Sequence, residues 1–428
     1  MKAIPETDLP LRGEITVPGD KSIGHRAVIF ASIAHGRSRI INLSGGEDNR
    51  RTVQAFRDMG VVIRSDGESL TVEGRGWEGL SAPRSTIDCG NSGTTMRLLS
   101  GVLAGRSFAS RLDGDASLRR RPMRRIIDPL TRMGAQITGR DGAGLAPLEI
   151  HGGGLQGIEY RMPMASAQVK SAILLAGLQA SGVTTVFEPQ NSRDHTEVMI
   201  RGFGGEVSIR CGSVTVAGGQ TLRAREVSIP GDISSAAFFL VAAAAIPGSE
   251  VIVRDVGVNP TRDGVLEILR RMGAKLECLN ERIEAGEPVA DLKVTGGRLV
   301  GVEIGPEMSA RTIDEYPILL VAGALAEGVT SISGVKELRY KESDRIAAMT
   351  EGLGALGVSV AEREDGMTVS GCRRLKGAAV KSYGDHRVAM ALAIAGLCSD
   401  GGVQIDDADC VDISFPNFFE LLEKIQLH

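Results

Sequence analysis

The hexapeptide VPGDKS at Val17–Ser22 returns near the middle of the chain as IPGDIS at Ile229–Ser234. Each copy leads into a helical segment that is apolar on nearly every face, and then into a β-like run. Proline and glycine interrupt regular structure, so we expect the chain to cross between two halves near Pro18–Gly19 and Pro230–Gly231. The recurrence predicts an internal duplication.

Two kinds of helical segment recur about every seventy residues, a period that suits a repeated α/β unit. One kind is rich in Ala, Leu, Ile and Val all round, as in AAFFLVAAAAIPG, and such helices are buried. The other is amphipathic, ends in Met-Gly or a close variant in most copies, and is usually followed by a β-like run. The amphipathic segments are Arg50–Gly60, Arg124–Gly134, Thr196–Gly204, Val265–Gly273, Asp344–Gly357 and Phe415–Ile425. Six units predict two domains of three units each; the alternative is one large doubly wound sheet.

The composition favours globular domains, because 42% of the 428 residues are apolar. The 49 basic and 53 acidic residues give a net charge of −4. The chain as a whole therefore does not attract nucleic acid or membrane, and local Arg and Lys clusters must hold any anionic ligand. The first ten residues lack a signal-peptide pattern, and the run Ala236–Ile246 is too short to span a bilayer. We expect a cytoplasmic protein.

The sequence offers little support for a metal site or a dinucleotide site. Its six cysteines are widely separated and lack metal-ligand spacing, which predicts reduced, mostly buried thiols. The segment Gly152–Gly157 matches GxGxxG, but Tyr160–Pro163 follows where a helix should begin. We therefore interpret the glycine-rich segment as a turn.

Polar residues precede each apolar helical segment. Unpaired N–H groups at helix N-termini attract anions, so several termini directed at one cleft would bind phosphorylated molecules. Ordinary N-capping is the alternative for each segment alone. Capping does not explain the neighbouring cations, since a positive charge at a helix N-terminus is unfavourable without an anion. The polar segments are Asp20–Arg26, Gly90–Thr94, Ala165–Gln168, Gly231–Ser234, Thr312–Glu315 and Tyr383–Arg387.

From Leu11 to Phe418 the chain resembles the 5-enolpyruvylshikimate-3-phosphate (EPSP) synthase family. Nine motifs carry the resemblance, in the order DKSIGHRA, CGNSGTTMRLL, GDASLRRRPMRR, MPMASAQVKSA, SRDHTE, IPGDISSAAFF, TIDEYP, LRYKESDRI and YGDHRVAMA. The SAQVKSA and SRDHTE segments are similar to the second bacterial class of the family. Two departures are Gly24, where the family usually has Ser, and the absence of the Lys that members of the first class carry just before the segment Ser414–Pro416.

The resemblance implies an α/β (α+β) two-domain enolpyruvyl transferase fold. Each domain contains three βαβαββ units around buried helices, an inside-out α/β barrel. We expect residues 1–17 and 230–428 to form a discontinuous domain and residues 18–229 to form an inserted domain, with hinges near 17–20 and 228–232. In this family the two domains close on the substrate.

The resemblance also implies transfer of the enolpyruvyl group of phosphoenolpyruvate to the 5-hydroxyl of shikimate 3-phosphate, by a monomer without metal or organic cofactor. The implied proton-transfer residues are Asp314, Glu342 and Lys21. The implied ligands of shikimate 3-phosphate are Lys21, Ser22, Arg26, Ser166, Gln168, Arg193, Asp314 and Lys341. Those of phosphoenolpyruvate are Lys21, Asn91, Gly93, Arg121, Gln168, Arg345, His386 and Arg387.

Two other functions are alternatives. An enolpyruvyl transferase acting on UDP-N-acetylglucosamine shares the fold and the donor, but that family carries a reactive Cys in the loop occupied here by Asp115–Arg120. Nucleic-acid binding through Arg119–Arg121 and the pair Arg124 and Arg125 is the second alternative. Aromatic residues are not interleaved with this basic cluster, which argues against it.

Overall fold

The computed structural model describes residues 1–7, 9–67, 69–140, 142, 144–372 and 374–426. In this part of the chain the α-helices are α1 Lys21–Ile33, α2 Glu47–Asp58, α3 Gly93–Ala104, α4 Arg124–Arg132, α5 Ala167–Gly177, α6 His195–Gly202, α7 Ile233–Ala245, α8 Gly264–Arg271, α9 Ser309–Thr312, α10 Tyr316–Ala324, α11 Arg345–Ala355, α12 His386–Leu397 and α13 Phe418–Gln426.

The strands within the same residues are β1 Lys2–Ile4, β2 Arg12–Thr16, β3 His35–Ile41, β4 Val62–Asp66, β5 Ser69–Arg75, β6 Ile87–Asp88, β7 Ala109–Asp113, β8 Gln136–Arg140, β9 Leu145–His151, β10 Glu159–Arg161, β11 Val183–Phe187, β12 Ser208–Arg210, β13 Ser213–Ala217, β14 Glu226–Ser228, β15 Glu250–Gly257, β16 Lys275–Glu284, β17 Glu287–Thr295, β18 Glu303–Ile304, β19 Val329–Ile332, β20 Ser359–Arg363, β21 Gly366–Ser370, β22 Leu375–Val380 and β23 Ser399–Ile405.

The chain divides into two compact units. The inserted unit consists of Gly19–Ile229 and the short segment Glu284–Glu287. The discontinuous unit consists of Met1–Pro18, Pro230–Ile283 and Pro288–His428. Each unit has a hydrophobic core of its own, which is what an independent domain requires.

Within the described residues, each unit contains three small sheets. Their strand orders are β14-β3-β5-β4, β6-β7-β9-β8 and β10-β11-β13-β12 in the inserted unit, and β16-β17-β15-β2, β18-β19-β21-β20 and β1-β23-β22 in the discontinuous unit. Every sheet combines one parallel pair, such as β6 with β7, with at least one antiparallel pair, such as β7 with β9. The alternative of one large doubly wound sheet is therefore wrong.

The two hexapeptides lie where strands are exchanged between the halves of the sequence. Strand β2 precedes α1 but pairs in parallel with β15, in the register Arg12 opposite Glu250. Strand β14 precedes α7 but pairs in parallel with β3, in the register Glu226 opposite Arg39. Each half of the sequence thus provides one edge strand of a sheet whose other strands come from the other half.

In the part of the chain that the structure describes, six helices form the centres of the cores, three in each unit. Helices α1, α3 and α5 belong to the inserted unit, and α7, α10 and α12 to the discontinuous unit. Most of their residues are buried, including Phe30 in α1 and Phe239 in α7 at 0% exposure. Sequences that are apolar on every face form helices with no solvated side, so this prediction is confirmed.

The amphipathic helices cover the cores from outside, and glycine residues end most of them. Gly60, after α2, has φ of 88°, and Gly134, after α4, has φ of 113°. This backbone region favours glycine, and it lets the N–H groups of Gly60 and Val61 bond to the last carbonyls of α2. The Met-Gly signal marks these helix ends, and the predicted α/β fold built from repeated units is confirmed.

The cysteine prediction is partly wrong. All six thiols are free, but only Cys89 and Cys410 are buried. Cys211 is exposed because it lies in the turn between β12 and β13. The segment Gly152–Gly157 contains no helix and is followed by β10, in agreement with the turn interpretation. None of the helices in the described residues is long and apolar enough to cross a membrane.

Candidate active site

The start of α1 carries Lys21, Ser22 and Arg26. Asp20 caps the helix by accepting a hydrogen bond from the Ile23 N–H at 2.9 Å. The Lys21 ammonium lies 2.8 Å from Oδ2 of Asp48, in the first turn of α2. Lys21 and Ser22 are half-buried. The ion pair holds the Lys21 ammonium beside the helix N-terminus while leaving it partly accessible to a ligand.

Gly24 lies where α1 packs against the Asn49 side chain. A Cβ atom at Gly24 would lie 2.5 Å from Nδ2 of Asn49 and 2.8 Å from Cδ1 of Leu43. The same Asn49 amide donates a hydrogen bond to the Lys21 carbonyl at 3.3 Å. The departure from the family's Ser therefore has a structural reason in this chain, since a larger residue would displace Asn49.

Two arginines flank Gly93, the first residue of α3. A Cβ atom there would lie 2.7 Å from Nη1 of Arg97 and 3.3 Å from Nη1 of Arg121. The absence of a side chain thus keeps the space between these guanidinium groups and the helix N-terminus clear. Arg97 and Arg121 are 9% and 8% exposed, so their charges are largely shielded from bulk water. A helix N-terminus between two guanidinium groups is suited to an anion.

Side-chain amides hold these two arginines in place. Arg121 Nη2 donates to Oδ1 of Asn91, and the Asn91 amide donates to Oδ2 of Asp115 at 2.7 Å. Arg97 Nη1 donates to Oε1 of Gln168 at 2.7 Å, and the Gln168 amide donates to the Thr94 hydroxyl at 2.8 Å. The structure therefore brings four of the predicted ligands together at one end of the inserted unit. They are Asn91, Gly93, Arg121 and Gln168.

The remaining predicted ligands of the inserted unit are Ser166, Arg193 and Arg26. Ser166 caps α5 by accepting from the Val169 N–H, and Arg193 is half-buried shortly before α6. Arg26 is 2% exposed, and burial lowers its pKa to about 10, against the effect of Glu197 and Asp20. Even at that pKa Arg26 is charged near pH 7, which leaves a buried cation in this unit.

The discontinuous unit gathers its predicted residues around Arg345. Arg345 Nη2 lies 2.7 Å from Oε2 of Glu342, and its Nη1 lies 3.6 Å from Oδ1 of Asp314. Lys341 Nζ is 3.8 Å from the same Asp314 oxygen. Arg387 Nη1 donates to the Asp314 carbonyl at 3.1 Å. Two partly exposed carboxylates thus lie in contact with fixed cations.

Asp385 holds the buried side of this cluster. Its carboxylate accepts from Arg345 Nε at 2.9 Å and from the Arg387 N–H at 2.9 Å, where it caps α12. Burial alone would lower the pKa of Arg345, but Asp385 and Glu342 raise it above the ordinary arginine value. His386, the first residue of α12, is also buried.

The fifteen predicted site residues therefore lie in two groups, one in each unit. The inserted group is Lys21, Ser22, Arg26, Asn91, Gly93, Arg121, Ser166, Gln168 and Arg193, and the discontinuous group is Asp314, Lys341, Glu342, Arg345, His386 and Arg387. The capping alternative also holds for five of the six polar segments, since Asp20, Ser92, Ser166, Asp232 and Asp385 cap helices. It does not hold for the segment Thr312–Glu315, because Glu315 precedes α10 without a capping side-chain bond.

Arg97, Asp385 and Asp48 are among the contacting residues that sequence reasoning missed. Arg97 and Asp385 lie inside the quoted motifs, and a charged residue at a helix start was the available signal. Asp48 carried no such signal, because an acidic residue in the first turn of a helix is common. Ile413 occupies the position of the missing Lys and is half-buried against the hydrophobic core.

Comparisons with known proteins identify the family of the chain. The model of the family described as EPSP synthase (3-phosphoshikimate 1-carboxyvinyltransferase) matches residues 5–422. A protein of Geobacter metallireducens named 3-phosphoshikimate 1-carboxyvinyltransferase is 54% identical over 97% of both chains. One of Pelobacter propionicus with the same name is 53% identical over 97% of this chain and 96% of its own.

Solved structures give the same result. The EPSP synthase of Acinetobacter baumannii superposes with a TM-score of 0.89 at 46% identity, covering 99% of this chain and 97% of its own. The enolpyruvyl transferase NikO of Streptomyces tendae has a TM-score of 0.79 at 19% identity, over 98% and 96% of the two chains. At that identity the second likeness supports the fold alone.

Proposed function

The chain belongs to the EPSP synthase family, and on this premise we propose that it transfers the enolpyruvyl group of phosphoenolpyruvate to the 5-hydroxyl of shikimate 3-phosphate. It is a transferase of the shikimate pathway. The observation that carries the proposal is the pair of arginines on either side of the bare N-terminus at Gly93. The comparisons favour this activity over transfer to UDP-N-acetylglucosamine.

We assign phosphoenolpyruvate to the groups around Gly93. The molecule carries a carboxylate and a phosphate, and guanidinium groups form paired, charge-assisted hydrogen bonds to both. Arg121 and Lys21 provide charge. Asn91 orients Arg121, Gln168 orients the neighbouring Arg97, and both side chains carry amide N–H groups. Arg345, His386 and Arg387 complete the proposed set of ligands.

We assign shikimate 3-phosphate to the groups at the starts of α1, α5 and α6. Lys21 and Arg193 provide charge for the phosphate or the carboxylate, and Ser22 and Ser166 provide hydroxyl groups. Buried Arg26 lies behind this surface, and Gln168 is shared with the donor. Asp314 and Lys341 are proposed to contact the same acceptor.

The reaction is an addition followed by an elimination. The 5-hydroxyl oxygen attacks C2 of phosphoenolpyruvate and gives up its proton to a base, while C3 gains a proton from an acid. The tetrahedral adduct then loses a proton from C3 as the C2–O bond to phosphate breaks, which restores the double bond. Asp314 and Glu342 are the proposed proton-transfer groups, since carboxylates held beside cations can exchange protons with positioned atoms.

The cations act on the negative charge of the donor. Lys21 stabilises the departing phosphate or protonates it. Each charge-assisted hydrogen bond in a partly buried site contributes about 1.5–3 kcal/mol. The chain's own residues account for binding and proton transfer in this scheme, without a metal ion or organic cofactor.

The test is phosphate release from phosphoenolpyruvate, measured in parallel with shikimate 3-phosphate and with UDP-N-acetylglucosamine as acceptor. We expect release with the first acceptor and background release with the second. Release with UDP-N-acetylglucosamine alone would refute the proposal. A Lys21→Ala variant, prepared identically, controls for contaminating phosphatase.

We further propose that the enzyme is a cytoplasmic monomer that binds neither nucleic acid nor membrane. We also propose that its two compact units are its domains, with hinges near 17–20 and 228–232. Light scattering coupled to gel filtration tests the oligomeric state, for which the expected mass is 45.1 kDa. A mass of twice that value would contradict the monomer.

A further inference from the structure

Two hydroxyl groups hold the guanidinium of Arg26. Arg26 Nε donates to Oγ1 of Thr196 at 2.7 Å, and its Nη2 donates to Oγ of Ser171 at 2.7 Å. The two hydroxyl oxygens are themselves 2.6 Å apart. All three residues are at most 2% exposed. The hydroxyl pair therefore matches the parallel N–H groups along one edge of the guanidinium.

The directions of these hydrogen bonds are determined. Ser171 donates its single hydroxyl proton to the Ala167 carbonyl at 2.6 Å, so the bond between the two hydroxyls must be donated by Thr196. Both oxygens then accept from Arg26. The chain of bonds runs from Arg26 to the first turn of α5, which begins one residue after Ser166 and contains Gln168.

Acceptors among the described residues bind three of the five N–H groups of Arg26. The third goes from Nη1 to the Ser22 carbonyl at 2.8 Å. A guanidinium has five N–H groups, so two remain for a ligand. A buried cation with donors left over is suited to an incoming carboxylate or phosphate oxygen.

A buried ion pair next to the hydroxyls holds α5 and α6 together. Lys170 Nζ lies 2.7 Å from Oε1 of Glu197 and 2.8 Å from Oε2 of Glu188, and it donates to the Ser192 carbonyl at 3.2 Å. The three side chains are at most 5% exposed. Lys170 precedes Ser171 and Glu197 follows Thr196, so the ion pair fixes the separation of the two hydroxyls.

We propose that Ser171 and Thr196 are positioning residues that hold Arg26 ready for shikimate 3-phosphate, and so determine the affinity of the enzyme for this acceptor. This inference rests on the proposed function. Neither hydroxyl touches the substrate in this account. Each acts through the guanidinium of Arg26. Without one of the hydroxyls, a buried N–H group of Arg26 would lose its acceptor, and the guanidinium would turn to other acceptors.

The experiment compares Thr196→Val and Ser171→Ala with wild type in steady-state kinetics. Each variant should raise the KM for shikimate 3-phosphate about tenfold or more, because a charge-assisted hydrogen bond is lost. The kcat and the KM for phosphoenolpyruvate should stay within about threefold of wild type, since the donor ligands are untouched. Thr196→Ser keeps the hydroxyl and should restore the wild-type KM.

The matched control is Thr184→Val, which removes a hydroxyl that is equally buried in the same unit. It should leave both KM values unchanged, and thermal unfolding followed by circular dichroism checks that all variants fold. The variant Arg26→Ala separates the two proposals. If it raises the KM for shikimate 3-phosphate while Thr196→Val and Ser171→Ala do not, the positioning role is wrong and the proposed function stands.

If Arg26→Ala leaves that KM unchanged, the proposed role of Arg26 fails, and the positioning role fails with it. In the Arg26→Ala background, Thr196→Val should have no further effect on the KM for shikimate 3-phosphate. A full additional increase would show that Thr196 acts by another route and would overturn the inference.

Discussion

Arg345 and Asp385 form a buried ion pair in which Arg345 Nε lies 2.9 Å from Asp385 Oδ2, with the two side chains 2% and 0% exposed. Nη2 of Arg345 also donates to Asp385 Oδ1 at 3.4 Å and lies 2.7 Å from Glu342, while Nη1 lies 3.6 Å from Asp314. Asp385 therefore fixes the cation on which both proposed proton-transfer groups depend. A buried pair of this kind is costly to break, because the remaining charge loses its partner.

The variant Asp385→Asn should lower the free energy of unfolding by about 1–3 kcal/mol at pH 7. Burial opposes ionisation of Asp385, but Arg345 holds the pKa of Asp385 below its ordinary value of 3.8. The lowered pKa of Asp385 stabilises the fold at pH values above the ordinary pKa of 3.8. This contribution is lost as the pH falls through the pKa that Asp385 has in the folded state. Urea unfolding at pH 7 and pH 3 should show the difference between wild type and variant shrinking at the lower pH. A constant difference would contradict the assignment.

His25 should make the fold sensitive to mild acid. Burial lowers the pKa of His25 from 6.5 to about 3, and its Nδ1 bonds to the Thr52 hydroxyl at 2.7 Å. In the unfolded chain His25 binds a proton below pH 6.5, whereas in the folded chain it binds one only below about pH 3. The free energy of unfolding therefore decreases as the pH falls from 6.5 to about 3. The slope from this one group is about 1.4 kcal/mol per pH unit.

The variant His25→Gln should flatten the dependence of unfolding free energy on pH between 6 and 4. His151→Gln, at an exposed histidine, is the matched control and should keep the wild-type slope. Equal slopes in wild type and His25→Gln would count against the buried neutral histidine.

Gly24→Ala should destabilise the inserted unit by about 1–3 kcal/mol, because the added methyl group overlaps Asn49 and Leu43. Gly354→Ala is the control, since Gly354 lies in α11 and a Cβ there would meet nothing within 4 Å. Replacing an exposed helical glycine with alanine should stabilise by about 0.5–1 kcal/mol. The midpoint temperatures of thermal unfolding of the two variants should therefore shift in opposite directions. Equal shifts would mean that Gly24 has room for a methyl group.

Arg121→Ala should raise the KM for phosphoenolpyruvate by about tenfold or more, with a much smaller change for shikimate 3-phosphate. The reason is the position of its guanidinium beside Gly93. Arg120→Ala, at the exposed neighbour, should leave both constants unchanged. Equal losses for the two substrates in Arg121→Ala would remove the specific link between Arg121 and the donor.

The sequence predicted the repeated elements well because their signals are local. A segment such as AAFFLVAAAAIPG has no polar face and must be buried, and a Met-Gly ending marks a helix that needs a residue with positive φ. The likeness of VPGDKS to IPGDIS located the duplication. The sequence also predicted that residues 1–17 belong with the second half. It did not reveal the specific pairings of β2 with β15 and of β14 with β3, since those pairings join residues far apart in the chain.

The supporting contacts of the candidate site could not be predicted for the same reason. Arg26 is separated from Ser171 and Thr196 by 145 and 170 residues. A serine and a threonine in helices carry no sign of such a partner. The ion pair of Lys21 with Asp48 was likewise hidden, because Asp48 has the ordinary appearance of a first-turn acid.

The rate of phosphate release by Asp314→Ala tests the central claim most directly, namely that the carboxylates around Arg345 carry out the proton transfers. The variant should fold and should lose only part of its affinity for shikimate 3-phosphate in calorimetry, since Asp314 is one of several proposed contacts, while kcat falls about 10²–10⁴-fold, as expected when a general acid or base is removed. A kcat equal to that of wild type would remove Asp314 from the chemistry and contradict the account.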